Sequence, residues 1–493
     1  MNQLNCRFFS FLPLSIPLAL TMACSSGLED GRDDSEGSGD SSLPPGQSLL
    51  PPPPTQLPGA ETDPGAQPGV NGPLEGDNPM NDLPGADPVA AGDSHVVVVA
   101  HQDDDLLFIN PFLQQAIDAG DALRTAYLTS GNNDLGMDYV LERERGIQAA
   151  YAQMAGVNNS WTCASRQYGA LSPEVCTLAA DSTVEVIFYR LTDGQYYGEA
   201  SGSLERLWLG EDETSTPIDS TMPALNLSEL EASLAALYEQ VGMTHLYLTE
   251  FAFQEADDHS DHRYAAAIGM TASVQQAQAH ELFTHKTYAT DGTGYSPNIS
   301  MSEAELALST FEKYSACDSK IPGCSGPANC ETSSCEMPAA PVGEQKRYRD
   351  WTLRNYFSKR VALNTSGHLS PSAGQCLSVG VDGAIGQASS CAASEVFEYT
   401  SSYQLATSGG LCLEAVLPQE SWQATELKFV ACSDSSLQKF ILLEDGSLVL
   451  AASRAEGAPS EAVQCVSRVS QWSSDLTLQA CSSSSAMDWS LSL

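Results

Sequence analysis

A run of four valines that ends against three aspartates limits what this chain can become. In 95-HVVVVAHQDDDLLFINP-111 the β-branched stretch Val96 to Val99 has no polar face, so it reads as a strand buried on both sides of a mostly parallel sheet. In an open α/β sheet, ligands sit in the crevice beyond the carboxyl ends of the strands, and His101, Asp103 and Asp104 would converge there. Carboxylates packed together repel unless protons or a cation separate them, and a neighbouring histidine supplies a nitrogen ligand suited to zinc. Taken alone, the stretch also fits a solvated acidic turn.

A second stretch bears on the choice. The short strand-like run 244-THLYLTE-250 leads into 257-DDHSDHRYAAAIG-269, where His259 and His262 stand three apart at the start of an Ala-rich helix with Asp261 between them. A surface histidine pair is the bland reading of that helix by itself. Two His and Asp clusters, each just beyond a strand, make a better metal site than either alone, and a catalytic zinc commonly takes three protein ligands.

Together AHQDDD and HSDH resemble the paired AHPDDE and HxDH motifs of the PIG-L/LmbE family of zinc-dependent de-N-acetylases, which act on N-acetylglucosaminyl compounds. Residues 128–157 are similar to the family's T-x-G strand end, Arg-Glu-bearing helix and Gly-Val turn, and the resemblance covers roughly residues 93 to 357. It implies one zinc ion per chain held by His101, Asp104 and His262, with Asp103 as general base. It implies His259 as stabiliser of the oxyanion or proton donor to the leaving amine. Asp105 and Asp261 would support the ligands from behind, and Arg143 or Glu144 would contact substrate. Gln102 stands where the family has proline, which should loosen the loop, and Asp105 replaces a glutamate one methylene longer. The chemistry is coherent: a metal polarises the amide carbonyl and acidifies bound water, while a carboxylate and a histidine complete an acid/base pair.

At 493 residues the chain is too long for one core. Residues 1–24 read as an export signal, short, proline-interrupted and N-terminal. Its Ala23-Cys24 end resembles a bacterial lipoprotein cleavage site, implying Cys24 as the lipidated residue; Thr21 stands where leucine is usual, and soluble secretion is the competing outcome. Residues 25–92 are rich in Gly, Pro, Ser and acidic residues and cannot bury enough apolar surface to offset ordering entropy, so they read as a disordered tether. The expected location is the bacterial cell envelope, anchored in the outer membrane, with no other membrane contact. A net charge of −41 excludes nucleic acid as a partner, because phosphates would repel it.

Residues 93–361 alternate strands and helices, which argues for a Rossmann-like, mostly parallel sheet with helices on both faces. Helices are expected over 112–123, 141–156, 228–242 (capped by Ser228) and 261–278, and strands over 125–131, 183–191, 244–250 and 284–290. His285 and Tyr288 read as ordinary strand composition. Fourteen cysteines in an exported chain point to disulfides, and setting aside Cys6 and Cys24 leaves an even number. Cys163 and Cys176 are expected to pair. Cys317, Cys324, Cys330 and Cys335 lack the close C-x-x-C pairs of a zinc ribbon and are expected to form two bridges of undetermined connectivity.

Residues 362–493 carry three similar units, 375–391, 411–432 and 464–481, each with a Cys, an apolar residue, a variable loop and a second Cys, then an aromatic: Phe397, Phe440 or Trp489. Such units depend on one another for a core. The pattern resembles the ricin B-type β-trefoil lectin, of whose Q-x-W motif 438-QKF-440 keeps the glutamine and 487-MDW-489 the tryptophan. The repeat aromatics would be core residues. Asp382, Trp422 and Trp472 are the candidates for lining sugar pockets, although the family's Asp after the first Cys-Leu is missing from CLS, CLE and CVS, and a module without lectin activity is the alternative. The expected function is therefore a zinc amidohydrolase that de-N-acetylates an N-acetylated amino sugar, with a glycan as the ligand of the trefoil. A non-catalytic glycan-binding surface lipoprotein and a zinc hydrolase of a non-sugar amide are the competing classes.

Overall fold

The computed structural model describes residues 92–251, 258–292, 294–324, 330, 333–338, 341–371, 376–388, 390–391, 394–416, 426–453, 457, 463–468, 476–481 and 489–492. The expected export signal, Cys24, the expected tether up to residue 91, Trp422 and Trp472 lie outside the described residues.

The four valines sit at the centre of an eight-stranded sheet. Strand β1 (Ser94–Val99) is flanked on one side by β2 (Ala122–Thr129) and on the other by β6 (His245–Thr249), in the order β3-β4-β5-β2-β1-β6-β7-β8. The five inner strands, β5 (Asp181–Leu191), β2, β1, β6 and β7 (Glu281–His285), run parallel. Strands β3 (Trp161–Ser165), β4 (Glu174–Leu178) and β8 (Phe357–Lys359) add antiparallel edges.

Alternation along β1 divides the core into two layers. Val96 and Val98 pack with Leu230, Leu234 and Ile268 from α4 (Leu227–Val241) and α5 (Ser260–Ser273). Val97 and Val99 face the other way, onto Ile147, Tyr151 and Phe311 from α2 (Met137–Met154) and α6 (Met301–Ser315). Both faces of the sheet are therefore covered, which is why the stretch Val96–Val99 carries no polar residue.

Several expectations shift. The 112–123 segment splits into α1 (Phe112–Ala119), closed by left-handed Gly120 (φ 76°), and the start of β2. Asn226, not Ser228, caps α4, in a reciprocal capping box with Glu229. The expected strand over 284–290 ends at His285, and Tyr288 begins a short 3-10 turn. Cys163 and Cys176 are directly opposed in the β3–β4 hairpin and pair, and the four clustered cysteines connect as Cys317–Cys330 and Cys324–Cys335.

Beyond Val361 the described chain is antiparallel and all-β. Its ten-stranded sheet nearly closes, since Trp489 in the last strand donates its backbone N–H to Gly446 O near the sheet's other end. Bridges Cys376–Cys391, Cys412–Cys432 and Cys465–Cys481 each staple one repeated unit, and Phe397, Phe440 and Trp489 are buried in the core. Asp382 is exposed and its carboxylate accepts from Ala384 N in its own turn (3.2 Å).

Candidate metal centre and catalytic cleft

At the carboxyl end of β1 the chain turns tightly. His101 N donates to Asp104 Oδ2 (2.7 Å), and residues Asp105–Ile109 form one wide helical turn in which Asn110 N reaches back to Asp105 O (3.1 Å). Such wide turns recur at functional sites. This turn keeps Asp104 beside His101 and sends Asp105 the other way. Asp105 Oδ2 accepts from Tyr127 (2.9 Å) and Tyr151 (2.6 Å), and burial pushes its carboxyl up to about 7. The shorter aspartate thus serves two tyrosines beneath the site. Gln102, in the place of the family's proline, is fully buried against Thr129 and Gly131.

Ligand-capable atoms of His101, Asp104 and His262 lie within 4.8 Å of one another, and all three residues are buried. His262 Nε2 is 2.9 Å from Asp104 Oδ1, yet it aligns in a hydrogen bond with no acceptor among the described residues. Its other nitrogen, Nδ1, is 2.8 Å from Asp258 Oδ1. Placing the proton on Nδ1 leaves the Nε2 lone pair free, and a lone pair facing a buried carboxylate is the arrangement expected around a cation. His101 repeats the pattern, with Nε2 3.4 Å from Asp261 Oδ2 and Nδ1 3.5 Å from Asp104 Oδ2. The donor set of two imidazoles and a carboxylate fits a metal ion. Burial opposes charge here, but the carboxylates outweigh it: Asp104 and Asp258 raise His262 to about 10, and Asp104 and Asp261 raise His101. The same histidines hold Asp104 well below the usual carboxylate range.

Two further side chains meet this centre at a cleft of about 370 Å³. Burial raises Asp103 against the opposing charge of Arg143, whose guanidinium bonds directly to it. Arg143 is itself fixed by Tyr314 Oη and Gly131 O (2.8 Å each). His259 caps α5, its Nδ1 accepting from Asp261 N (3.1 Å), and burial followed by the neighbouring histidines His101 and His262 drives its pKa far down. Asp261 Oδ2 accepts from Gly194 N (2.8 Å) and lies 3.4 Å from His101 Nε2.

Glu144 is elsewhere. Both its oxygens pair with Arg190 (2.6 and 2.7 Å), a buried arginine that also meets Glu174 and Asp219, so Glu144 holds the sheet to α2 and does not line the cleft. Other wall residues carry no motif. Asp193, Gln195 and Tyr196 come from the loop after β5; Tyr288 follows β7; Asp318, Lys320 and Ile321 come from the disulfide-clamped segment; Glu344 and Tyr348 come from α7 (Glu344–Trp351). Tyr288, read above as strand composition, stacks on Trp351 (5.0 Å) at the cleft wall. Asp193 obeys the same strand-end rule as His101 and was legible by it. Asp258 sits next to His259 in the motif, but only proximity to His262 reveals its task.

Residues 96–273 match the family model described as PIG-L, GlcNAc-PI de-N-acetylase. What matches is this segment of the α/β region, about a third of the chain. It contains both His/Asp clusters, Asp103, Arg143 and the loop after β5, whereas Tyr288, Asp318, Lys320, Glu344 and Tyr348 lie outside it. No curated protein matches the chain. Among solved structures, similar chains include GalB, the 4-carboxy-2-hydroxymuconate hydratase from Pseudomonas putida KT2440, at 12% identity and TM-score 0.29, covering 53% of this chain and 83% of that one. Another is the zinc-inhibited form of teicoplanin deacetylase Orf2, at 14% identity and TM-score 0.30, covering 48% of this chain and 89% of that one.

Proposed function

We propose that the PIG-L domain is a zinc-dependent de-N-acetylase that hydrolyses the acetamide of an N-acetylglucosamine-type sugar or glycoconjugate. The observation that carries this reading is the meeting of His101, Asp104 and His262 at one buried point, with Asp103 and His259 beside it on the same cleft. His101, Asp104 and His262 would hold the ion; two nitrogens and one oxygen suit zinc. When bound, it supplies Lewis acidity toward the carbonyl and lowers the pKa of a water molecule.

The chain's residues do the rest. Asp103, oriented by Arg143, takes a proton from the attacking water and returns it to the nitrogen as the C–N bond breaks, so that acetate and a free amine leave. His259 has its Nδ1 occupied as an acceptor and is held neutral, which leaves an Nε2–H to donate to the oxygen where negative charge develops. That assigns it oxyanion stabilisation. A lining of tyrosines together with Asn133, Asp193, Gln195 and Glu344 suits a hydroxyl-rich substrate.

In this reading residues 1–24 direct export, Cys24 carries the lipid, residues 25–92 hold the enzyme away from a bacterial outer membrane, and residues 362–493 form a ricin B-type β-trefoil that retains a glycan. The test is acetate release by the zinc-loaded chain from N-acetylglucosamine, its oligosaccharides and its glycosides, set against N-acetylated amino acids. Release confined to the sugars supports the proposal. Release confined to the amino acids transfers the same chemistry to a non-sugar amide, and zinc-loaded protein that releases acetate from neither group sinks it.

A further inference from the structure

Gln195 stands out on the cleft wall for two independent reasons. Its backbone adopts φ 58°, the left-handed region that favours glycine and that a glutamine enters at a cost. Its side-chain Nε2 is buried and has no hydrogen-bond acceptor among the described residues. A buried donor left unmade is expensive, and the cost falls at a residue that lines the cleft.

The surrounding loop is not slack. Asp193 Oδ1 accepts from Gln195 N (2.9 Å), and Asp193 Oδ2 accepts from Asn133 N (3.0 Å). Gly194 N donates to Asp261 Oδ2 (2.8 Å), and a Cβ at Gly194 would come within 2.5 Å of Asp261 Oδ1. Gly198 N closes the turn on Gln195 O (3.2 Å). The loop is thus pinned to a residue that backs His101, and its strained backbone is held at the cleft wall. Strain held in place by such contacts at a cleft is a mark of preorganisation.

We propose that Gln195 is a specificity-determining residue, whose side-chain amide donates a hydrogen bond to a hydroxyl oxygen of the N-acetylated sugar next to the acetamide. The inference rests on the de-N-acetylase reading for its substrate class. It predicts that the cleft discriminates against a sugar lacking that one hydroxyl, because without it the buried amide stays unpaired.

The test uses zinc-loaded full-length chain, N-acetylglucosamine, and its 3-, 4- and 6-deoxy forms. Binding is read by stopped-flow tyrosine fluorescence before turnover, and acetate release follows in the same samples. The variants are Gln195→Gly, which suits the left-handed backbone and removes the amide, and Gln195→Glu, which keeps the shape and removes the donor. One deoxy sugar should bind wild type about tenfold more weakly than the parent sugar, and both variants should lose that discrimination while binding the parent about tenfold more weakly. If wild type and variants bind all four sugars alike, the amide is satisfied by water and the inference fails. Wild type that shows the Gln195-dependent discrimination without releasing acetate keeps the inference and removes the deacetylase reading. No binding by wild type overturns the inference outright.

Discussion

Asp258 Oδ1 lies 2.8 Å from Nδ1 of His262, and its second oxygen accepts from Thr287 Oγ1 at 2.6 Å. A hydroxyl after β7 therefore holds the carboxylate that holds the imidazole, and the imidazole presents Nε2 to Asp104. Each link favours the rotamer and tautomer that a metal ion at His262 would need.

Asp258→Ala should weaken zinc binding by about 10- to 100-fold, the usual effect of removing a carboxylate behind a ligating histidine. Chelator competition measures the affinity, and a thermal melt of the zinc-free protein guards against misfolding. Unchanged affinity in a folded variant would mean that Asp258 does not orient His262.

Glu144 separates what the sequence implied from what the fold does with it. Removing a buried partner of Arg190 should lower stability by about 3 kcal/mol in Glu144→Ala. KM should move little, because Glu144 does not line the cleft. Urea melts paired with steady-state kinetics check this; a large rise in KM at unchanged stability would return Glu144 to the substrate.

The placement of the His/Asp cluster was legible because its rule is local. A buried strand must stop where charge begins, and His101, Asp103 and Asp104 follow β1 directly, as His259 and His262 follow β6. The partners of those residues were less legible. Asp261 and Asp258 flank the same histidines in sequence, and choosing which supports which depends on ring directions set by packing: Asp261 reaches His101, and Asp258 reaches His262. Glu144 and Arg143 are neighbours on α2, and the helical rotation between them sends one to Arg190 and the other to Asp103. Tyr288, Asp318 and Tyr348 reach the cleft only through tertiary folding, and no motif marks them. In the last third, repeated cysteines and buried aromatics announced an all-β core, since both follow from a unit that cannot fold alone.

The segment carrying Asp318, Lys320 and Ile321 is held by Cys317–Cys330 and Cys324–Cys335. Asp318 accepts from Tyr139 Oη and Tyr314 Oη (2.8 Å each), and Tyr314 Oη in turn accepts from Arg143 Nε (2.8 Å), so the clamp reaches the proposed base, Asp103, through three contacts. Replacing Cys324 and Cys335 by serine should cost about 2–3 kcal/mol, as for loops of this length, and should raise KM more than it lowers kcat. A variant with wild-type KM would show that this wall does not shape the cleft.

His280 tests stability against pH away from the metal centre. It lies against Tyr403 and Arg360, and burial lowers its pKa from 6.5 to about 4. Between those values the unfolded chain binds the proton and the folded one does not. Stability from this group is therefore full above about pH 6.5 and falls away as pH drops toward 4, by at most about 3 kcal/mol. His280→Gln should flatten the fall in stability between pH 6.5 and 4.5 in urea melts of zinc-free protein; an unchanged slope would mean that His280 titrates normally.

The most direct test of the central claim is a zinc titration of chelator-stripped protein, with bound metal and acetate release from an N-acetylglucosamine oligosaccharide measured in the same samples. The His101, Asp104 and His262 centre predicts that both rise together and level off at about one zinc per chain, and that His262→Ala abolishes both. Acetate release that is already complete in stripped protein, or that survives His262→Ala at full rate, would contradict it.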